Sequence, residues 1–327
     1  MIITRTPLRI SLGGGGTDLP SYYREFGGFV ISAAINKYIY ISINRSFFPG
    51  YLLKYSELEE ALSYDQIRHP LLRETLRLHQ MPDQLEIVSI ADVPAGTGMG
   101  SSGAFLVGLA HALYAFKRQR VTAQVLAEEA FDIEANRLQQ PVGKQDQYSA
   151  AYGGITCQEY GSGETPVVTP LLLSNTALRQ LSESLMLFFV GYTRTAAQLL
   201  NDQKTRSETR DPEMLANLHF VRDLGREIKK LLVSGDVGRY GELMHEHWMR
   251  KRLRSKGMTS DRVDEVYELA RARGAATGGK LVGAGGAGFL LFQTKDRNRL
   301  RATMLEAGLS EMDFTFDFDG SVVFLRN

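Results

Sequence analysis

The stretch Pro94-Ala95-Gly96-Thr97-Gly98-Met99-Gly100-Ser101-Ser102-Gly103-Ala104 decides how this chain is read. Glycines at 96, 98 and 100 alternate with other residues and are followed by two serines. The next residues, 105–116, are apolar almost all round, which predicts a buried helix. Glycine lets the backbone turn through positive φ and lets a ligand come close. Free N–H groups and the positive end of the helix dipole favour an anion there, and the serines add hydroxyls. The pattern predicts a polyphosphate site rather than a tight connection capped by serine. It is not a P-loop, because no Gly-Lys-Ser/Thr follows the glycines.

Working outward, residues 84–91 alternate and read as the strand feeding this turn, and residues 1–12 and 29–43 read as further strands. Helical spacing predicts helices over 64–79, 123–139, 212–234, 240–253 and 262–273. Residues 185–190 read as a buried strand. Gly278-Gly279-Lys280 reads as a glycine-rich turn, 289–293 as a strand, and 313–323 as a final hairpin or strand pair. The polar stretch 161–170 suggests a division near residue 180, giving domains 1–180 and 181–327.

Two more glycine turns stand out. Gly13-Gly14-Gly15-Gly16-Thr17-Asp18 ends the first strand and would put Thr17 and Asp18 at its mouth as donor and acceptor for sugar hydroxyls; otherwise Asp18 caps the next helix. Gly283-Ala284-Gly285-Gly286-Ala287-Gly288 matches GxGxxG, but a dinucleotide site needs a strand before and a helix after it. Here a helix is expected before and a strand after, so a wall of the ligand pocket or a plain glycine hairpin is the better reading.

The 327 residues are 43% hydrophobic and 23% charged, with 38 Lys and Arg against 37 Asp and Glu. That balance leaves no electrostatic footprint for nucleic acid. The single cysteine, Cys157, excludes an intrachain disulfide and a Cys-rich metal site. No window resembles a signal peptide or the roughly 20 apolar residues of a membrane span. A cytoplasmic protein without membrane attachment is expected, and a homodimer is left open. His245 and His247 lack zinc spacing and read as helix surface.

The three turns together, in this order, resemble the motifs of the GHMP kinase superfamily: Pro7-Leu8-Arg9-Ile10-Ser11-Leu12-Gly13, Pro94–Ala104 and Lys280–Gly288. The resemblance spans nearly the whole chain. It implies a two-domain α+β fold, mixed sheets packed with helices, with a ligand cleft between the domains. It implies an ATP-dependent kinase in which Pro94, Gly96, Gly98, Met99, Gly100, Ser101 and Ser102 bind ATP, and Ser102 and Glu134 hold Mg2+. Asp146, in Gly143-Lys144-Gln145-Asp146-Gln147-Tyr148, would be the catalytic base. Arg9 would keep it charged and stabilise developing charge. Gly15, Gly16, Thr17, Asp18, Gly285 and Gly286 would face the sugar. Within the superfamily, the strings at 13–18 and 143–148 are similar to the D-glycero-D-manno-heptose 7-phosphate kinases, which implies phosphorylation of the C1 hydroxyl to a 1,7-bisphosphate. An unphosphorylated fucose-, galactose- or heptose-type acceptor, or a non-catalytic sugar and ATP sensor, are the alternatives. A substrate phosphate would need its own cation. Arg194 and Lys256, the latter within the basic run 250–256, are the candidates, although basic runs are usually solvated helix faces.

Overall fold

The computed structural model describes residues 1–163, 165–191 and 196–326. Its strands are β1 (Ile2–Gly13), β2 (Gly28–Arg45), β3 (Tyr51–Lys54), β4 (Leu58–Ala61), β5 (Leu85–Ala91), β6 (Ile155–Tyr160), β7 (Val167–Pro170), β8 (Leu185–Gly191), β9 (Ala276–Leu281), β10 (Gly288–Thr294), β11 (Ser310–Met312) and β12 (Val322–Arg326). Its helices are α1 (Pro20–Phe26), α2 (Pro70–Leu78), α3 (Ser101–Phe116), α4 (Ala123–Phe131), α5 (Gln145–Tyr152), α6 (Asn175–Ser184), α7 (Ala196–Glu208), α8 (Pro212–Val233), α9 (Tyr240–Lys251), α10 (Asp261–Ala272) and α11 (Arg297–Glu306).

One sheet runs β12-β1-β2-β5-β3-β4. β2 is long enough to serve two partners along one edge: residues 28–33 pair with β6 and residues 39–45 with β5. A second, antiparallel sheet runs β11-β8-β10-β9. A cut near residue 180 thus separates the two sheets except for β12, which returns from the C-terminus to pair with β1.

The apolar runs explain themselves once packed. Leu185 and Leu187 of β8 and Phe289 and Leu291 of β10 join the core that fills the first sheet. Their neighbours Met186, Phe188, Leu290 and Phe292 point the other way, into a second core with Trp248 and Tyr267. Strands covered on both faces read as continuous apolar runs. α3 is buried on nearly every side because it lies against β1, β2, α4 and α5.

Four sequence expectations change. The helix read over 64–79 is a short 3-10 turn at 64–66 and then α2, because Pro70 cannot continue a helix but suits its first turn. The helix read over 123–139 is α4 followed by a π-helical turn at 132–137. Gly278, Gly279 and Lys280 lie within strand β9. A β-carbon at Gly278 would sit 1.8 Å from Gly241 O, so glycine is needed where α9 crosses the strand, not for a turn. A strand, not a helix, therefore precedes the third glycine turn, and the turn joins β9 to β10; with no helix after it, the dinucleotide reading still fails. Within 313–323 only residues 322 and 323 belong to a strand, the earlier residues making one bridge, Ile35 to Phe316.

Candidate active site

The second motif forms a nest at the head of α3. Gly96, Gly98 and Gly100 all have φ between 76° and 78°, a conformation other residues rarely adopt. No side chain caps the start of α3, and the Ser101 hydroxyl has no partner, so the first-turn amides are left for a ligand. Met99 is buried in the core and its carbonyl accepts from Arg9 N at 3.1 Å. It anchors the loop, its side chain buried.

The third motif packs onto the second, backbone to backbone. A β-carbon at Gly98 would lie 2.7 Å from Val282 O, one at Gly283 2.4 Å from Gly98 O, and one at Gly288 2.4 Å from Thr97 O. The two motifs share one seam, and glycine at each contact is what lets it close.

Asp146 sits in the first turn of α5, against this nest. A side chain at Gly100 would meet its Cγ at 3.1 Å, and one at Gly103 its Cβ at 3.0 Å. Arg9, buried on β1, donates from Nε to Asp146 Oδ1 at 2.7 Å, with Nη2 also 2.7 Å from that oxygen in the ion pair, and from Nη1 to Gly98 O at 2.8 Å. Both contacts fall on one carboxylate oxygen. Arg9 and Asp146, 137 positions apart in the chain, are thus brought together as an ion pair.

Asp18 faces the same cleft but is held in place rather than free at a mouth. Its carboxylate accepts from the Gly16 amide at 3.0 Å and from the Gln145 amide and side-chain amide at 3.1 and 3.2 Å. Burial, then the nearby Asp146 charge, pushes its pKa up. It does not cap α1, which has no side-chain cap. Thr17 lies outside the cleft. Its hydroxyl shares its one proton between the Gly14 and Phe29 carbonyls and accepts from Phe29 N, which makes it a pin of the turn and corrects its reading as a substrate donor. Gly15 and Gly16 do line the cleft.

Ser102 and Glu134 lie close together: the Ser102 hydroxyl is near enough to stabilise the ionised Glu134 carboxylate, and Gln147 Nε2 donates to that carboxylate at 2.7 Å. The π-helical turn at 132–137 carries Glu134, which is only 1% exposed. Burial raises its pKa to about 7. No basic side chain pairs with it among the described residues. A buried carboxylate with no cation, beside a hydroxyl, suits a divalent ion completed by phosphates and water. No cluster of three or more His, Cys, Asp or Glu ligands occurs among the described residues, so these two oxygens are what the chain would offer.

Other expected residues lie elsewhere. Gly285 and Gly286 are turned from the cleft onto the segment carrying Met258, to whose carbonyl Gly286 N donates at 3.0 Å; their neighbours Gly283 and Ala284 line the cleft instead. Arg194 lies outside the described residues, and Lys256 is exposed to solvent. The basic residues that do reach the cleft are Lys251 and Arg254, together with Lys280 of β9 and His247 of α9. His247 is buried, which overturns its reading as helix surface. His247 and Lys251 sit four apart on one face of α9, and Arg254 follows in the turn after its end; the i, i+4 spacing of 247 and 251 is the signal the sequence offers. The cleft so formed lies between the first sheet (Arg9, Ser11) and the second (Lys280).

Comparison with known proteins bears on the family and the fold. The model of the GHMP kinases N terminal domain matches residues 67–154, and that of the GHMP kinases C terminal domain matches residues 228–308, together about half of the chain. A D-glycero-alpha-D-manno-heptose 7-phosphate kinase of Campylobacter jejuni is 28% identical over 98% of this chain and 97% of that protein. A D-glycero-D-manno-heptose 1-phosphate kinase from Bacteroides thetaiotaomicron has the same fold, with a TM-score of 0.78, 23% identity and full coverage of both chains. The galactokinase of Lactococcus lactis, solved with galactose, superposes with a TM-score of 0.77 at 15% identity, over 99% of this chain and 95% of that one. Among the described residues no helix is long and apolar enough to cross a membrane. With the nest packed against the Asp146–Arg9 pair and the third motif, and with both domain models matched in order, the chain belongs to the GHMP kinase superfamily and is an ATP-dependent phosphotransferase.

Proposed function

We propose that this kinase transfers the γ-phosphoryl group of ATP to the anomeric C1 hydroxyl of D-glycero-D-manno-heptose 7-phosphate, giving the 1,7-bisphosphate for nucleotide-activated heptose synthesis. The observation that carries the reading is the Asp146 carboxylate, bound through Oδ1 alone by Arg9 and set between the amide nest and the Asp18 turn. Oδ2 is left to accept the proton of an incoming hydroxyl. The heptose 7-phosphate kinase of C. jejuni, matched along the whole chain, supports the acceptor.

Each chain group has a task in this scheme. The amides at the head of α3 hold the phosphates, with dipole and N–H groups acting together. Asp146 takes the proton from the acceptor hydroxyl as the bond to phosphorus forms. Arg9 fixes the carboxylate and, with its Nη1 on Gly98 O, ties the base to the nest, so the two reacting parts keep one geometry. The Ser11 hydroxyl and Gln145 Oε1, buried in the cleft wall without partners, are placed to bond sugar hydroxyls. Ser102 and Glu134 would hold Mg2+, which when bound draws off charge building on the phosphate oxygens.

The test is ATP consumption against a panel of sugars and sugar phosphates. Heptose 7-phosphate is expected to give the highest kcat/KM, with the product carrying phosphate at C1. Preference for an unphosphorylated fucose- or galactose-type sugar would replace this acceptor, and absence of turnover with any sugar would leave a sensor. Glu134→Gln is expected to raise the Mg2+ concentration for half-maximal turnover by roughly 10–100-fold. An unaltered Mg2+ titration would take Glu134 out of the metal site.

A further inference from the structure

The cleft is oversupplied with buried positive charge. Arg9 is matched by Asp146, but Lys251, Arg254 and Lys280 form no ion pair among the described residues, although each is at most 5% exposed. Lys251 Nζ donates to two neutral acceptors, Leu281 O at 3.0 Å and Gly283 O at 2.5 Å. Arg254 likewise bonds only neutral groups: Gly15 O at 3.3 Å, Gln203 Oε1 at 3.3 Å and Asn217 Oδ1 at 3.1 Å. Lys280 Nζ has no hydrogen-bond partner among these residues. Beside them His247, 1% exposed, has no partner on either ring nitrogen. Buried cations without counter-charge are costly, and a buried polar ring with both nitrogens unsatisfied is rare. Nothing within the fold rewards this cluster.

We propose that Lys280, Lys251, Arg254 and His247 form a subsite for the phosphate monoester of the acceptor, separate from the nest that takes the phosphates of ATP. This rests on the proposed function and assigns the residues that make the acceptor a sugar phosphate rather than a free sugar. The arrangement along the cleft fits. Asp146 and Arg9 mark the end where the hydroxyl reacts. Arg254, bonded to Gly15 O and packed on Gly16, lines the same cleft, as do Lys251 and Lys280. A monoester dianion would supply two negative charges to a pocket of three basic side chains, favouring their protonated forms, and His247 would add a donor.

The electrostatics carry a measurable sign. Burial, then Arg9 and Arg254, lowers the pKa of Lys280 to about 7; burial likewise depresses Lys251 and His247. The charged groups facing Lys280 are Arg9 of β1, Lys251 and His247 of α9, Arg254, and the carboxylates Asp18 and Asp146. For a lysine whose folded pKa is depressed, the folded state binds fewer protons than the unfolded state between the two pKa values. Its destabilising effect is complete below about pH 7 and disappears as pH rises toward the unfolded value of about 10.5. Lys280→Met is thus expected to raise Tm in the ligand-free protein at pH 6, with the gain shrinking toward pH 10.

The deciding experiment compares wild type, Lys280→Met and Lys251→Met in two arms. In the first, kcat/KM is measured with heptose 7-phosphate and with unphosphorylated heptose. The preference for the phosphorylated acceptor is expected to fall about 10²-fold in each variant, through KM. An equal loss on both acceptors, through kcat, would place the cluster on the transferring phosphoryl group and overturn the subsite. In the second arm, inorganic phosphate is titrated calorimetrically into protein saturated with a non-hydrolysable ATP analogue at pH 8. Wild type is expected to bind it with proton uptake, and Lys280→Met to lose that binding. Wild type that binds no phosphate overturns the subsite even if heptose 7-phosphate is a substrate. Phosphate binding without heptose 7-phosphate turnover keeps the subsite and overturns only the sugar assignment.

Discussion

Asp146→Asn is expected to lower kcat by about 10²- to 10⁴-fold while leaving ATP affinity within a few-fold of wild type. The amide has nearly the shape of the carboxylate, so the room that Gly100 and Gly103 leave for residue 146 still suffices. Arg9 can still donate to Oδ1 and keep Nη1 on Gly98 O, so the nest should hold its form. What the variant loses is the oxygen that can take a proton. Steady-state kinetics with heptose 7-phosphate, alongside calorimetric titration of nucleotide, separate the two effects. A kcat within about 3-fold of wild type would remove proton transfer from the role of Asp146 and leave it as an orienting group.

The second large effect is expected at the glycine seam. Gly98 has φ +78°, where an alanine costs about 1–2 kcal/mol. The added β-carbon would also come within 2.7 Å of Val282 O, a main-chain atom that yields only if the third motif moves. Together these place the destabilisation of Gly98→Ala on the order of 2–4 kcal/mol. Because the same carbonyl that anchors Arg9 belongs to Gly98, nucleotide affinity should drop by at least ~10-fold as well. Gly161→Ala, where a β-carbon meets nothing within 4 Å, is the matched control and should stay within about 0.5 kcal/mol of wild type. A Gly98→Ala protein that melts with wild type would show that the two motifs do not depend on each other. The sequence suggests that a side chain at 98 would block phosphate; the structure puts the first collision against the protein itself.

The parts of the site legible in the sequence are those whose chemistry needs a local pattern. Alternate glycines before a buried helix define an anion nest without any long-range information, and Gly96, Gly98 and Gly100 all take the left-handed turn that pattern calls for. Arg9 and Asp146 were paired through the resemblance of their motifs, not through spacing, since 137 positions separate them. Glycine used for packing was the main source of error. Gly278 and Gly279 look like a turn but sit in β9, where α9 and the neighbouring strand approach too closely for a side chain. Thr17 looked like a ligand group because a hydroxyl in a glycine turn has no visible partner in one dimension, whereas in the fold it ties Gly14 to Phe29. The cation cluster was hidden for the opposite reason. The run from Arg250 to Lys256 mixes exposed and buried positions, and only His247 and Lys251 of α9 with Arg254 of the following turn line the cleft beside Lys280. Composition suggested a solvated surface where the fold builds a pocket.

The account stands on the amides at the start of α3 as the seat of the triphosphate. A crystal structure with a non-hydrolysable ATP analogue tests it most directly. The expected result is β- and γ-phosphate oxygens on the main-chain N–H groups between Gly98 and Gly103, with the γ-phosphorus facing Asp146 Oδ2. Nucleotide bound elsewhere in the molecule, with those N–H groups turned to solvent, would contradict it.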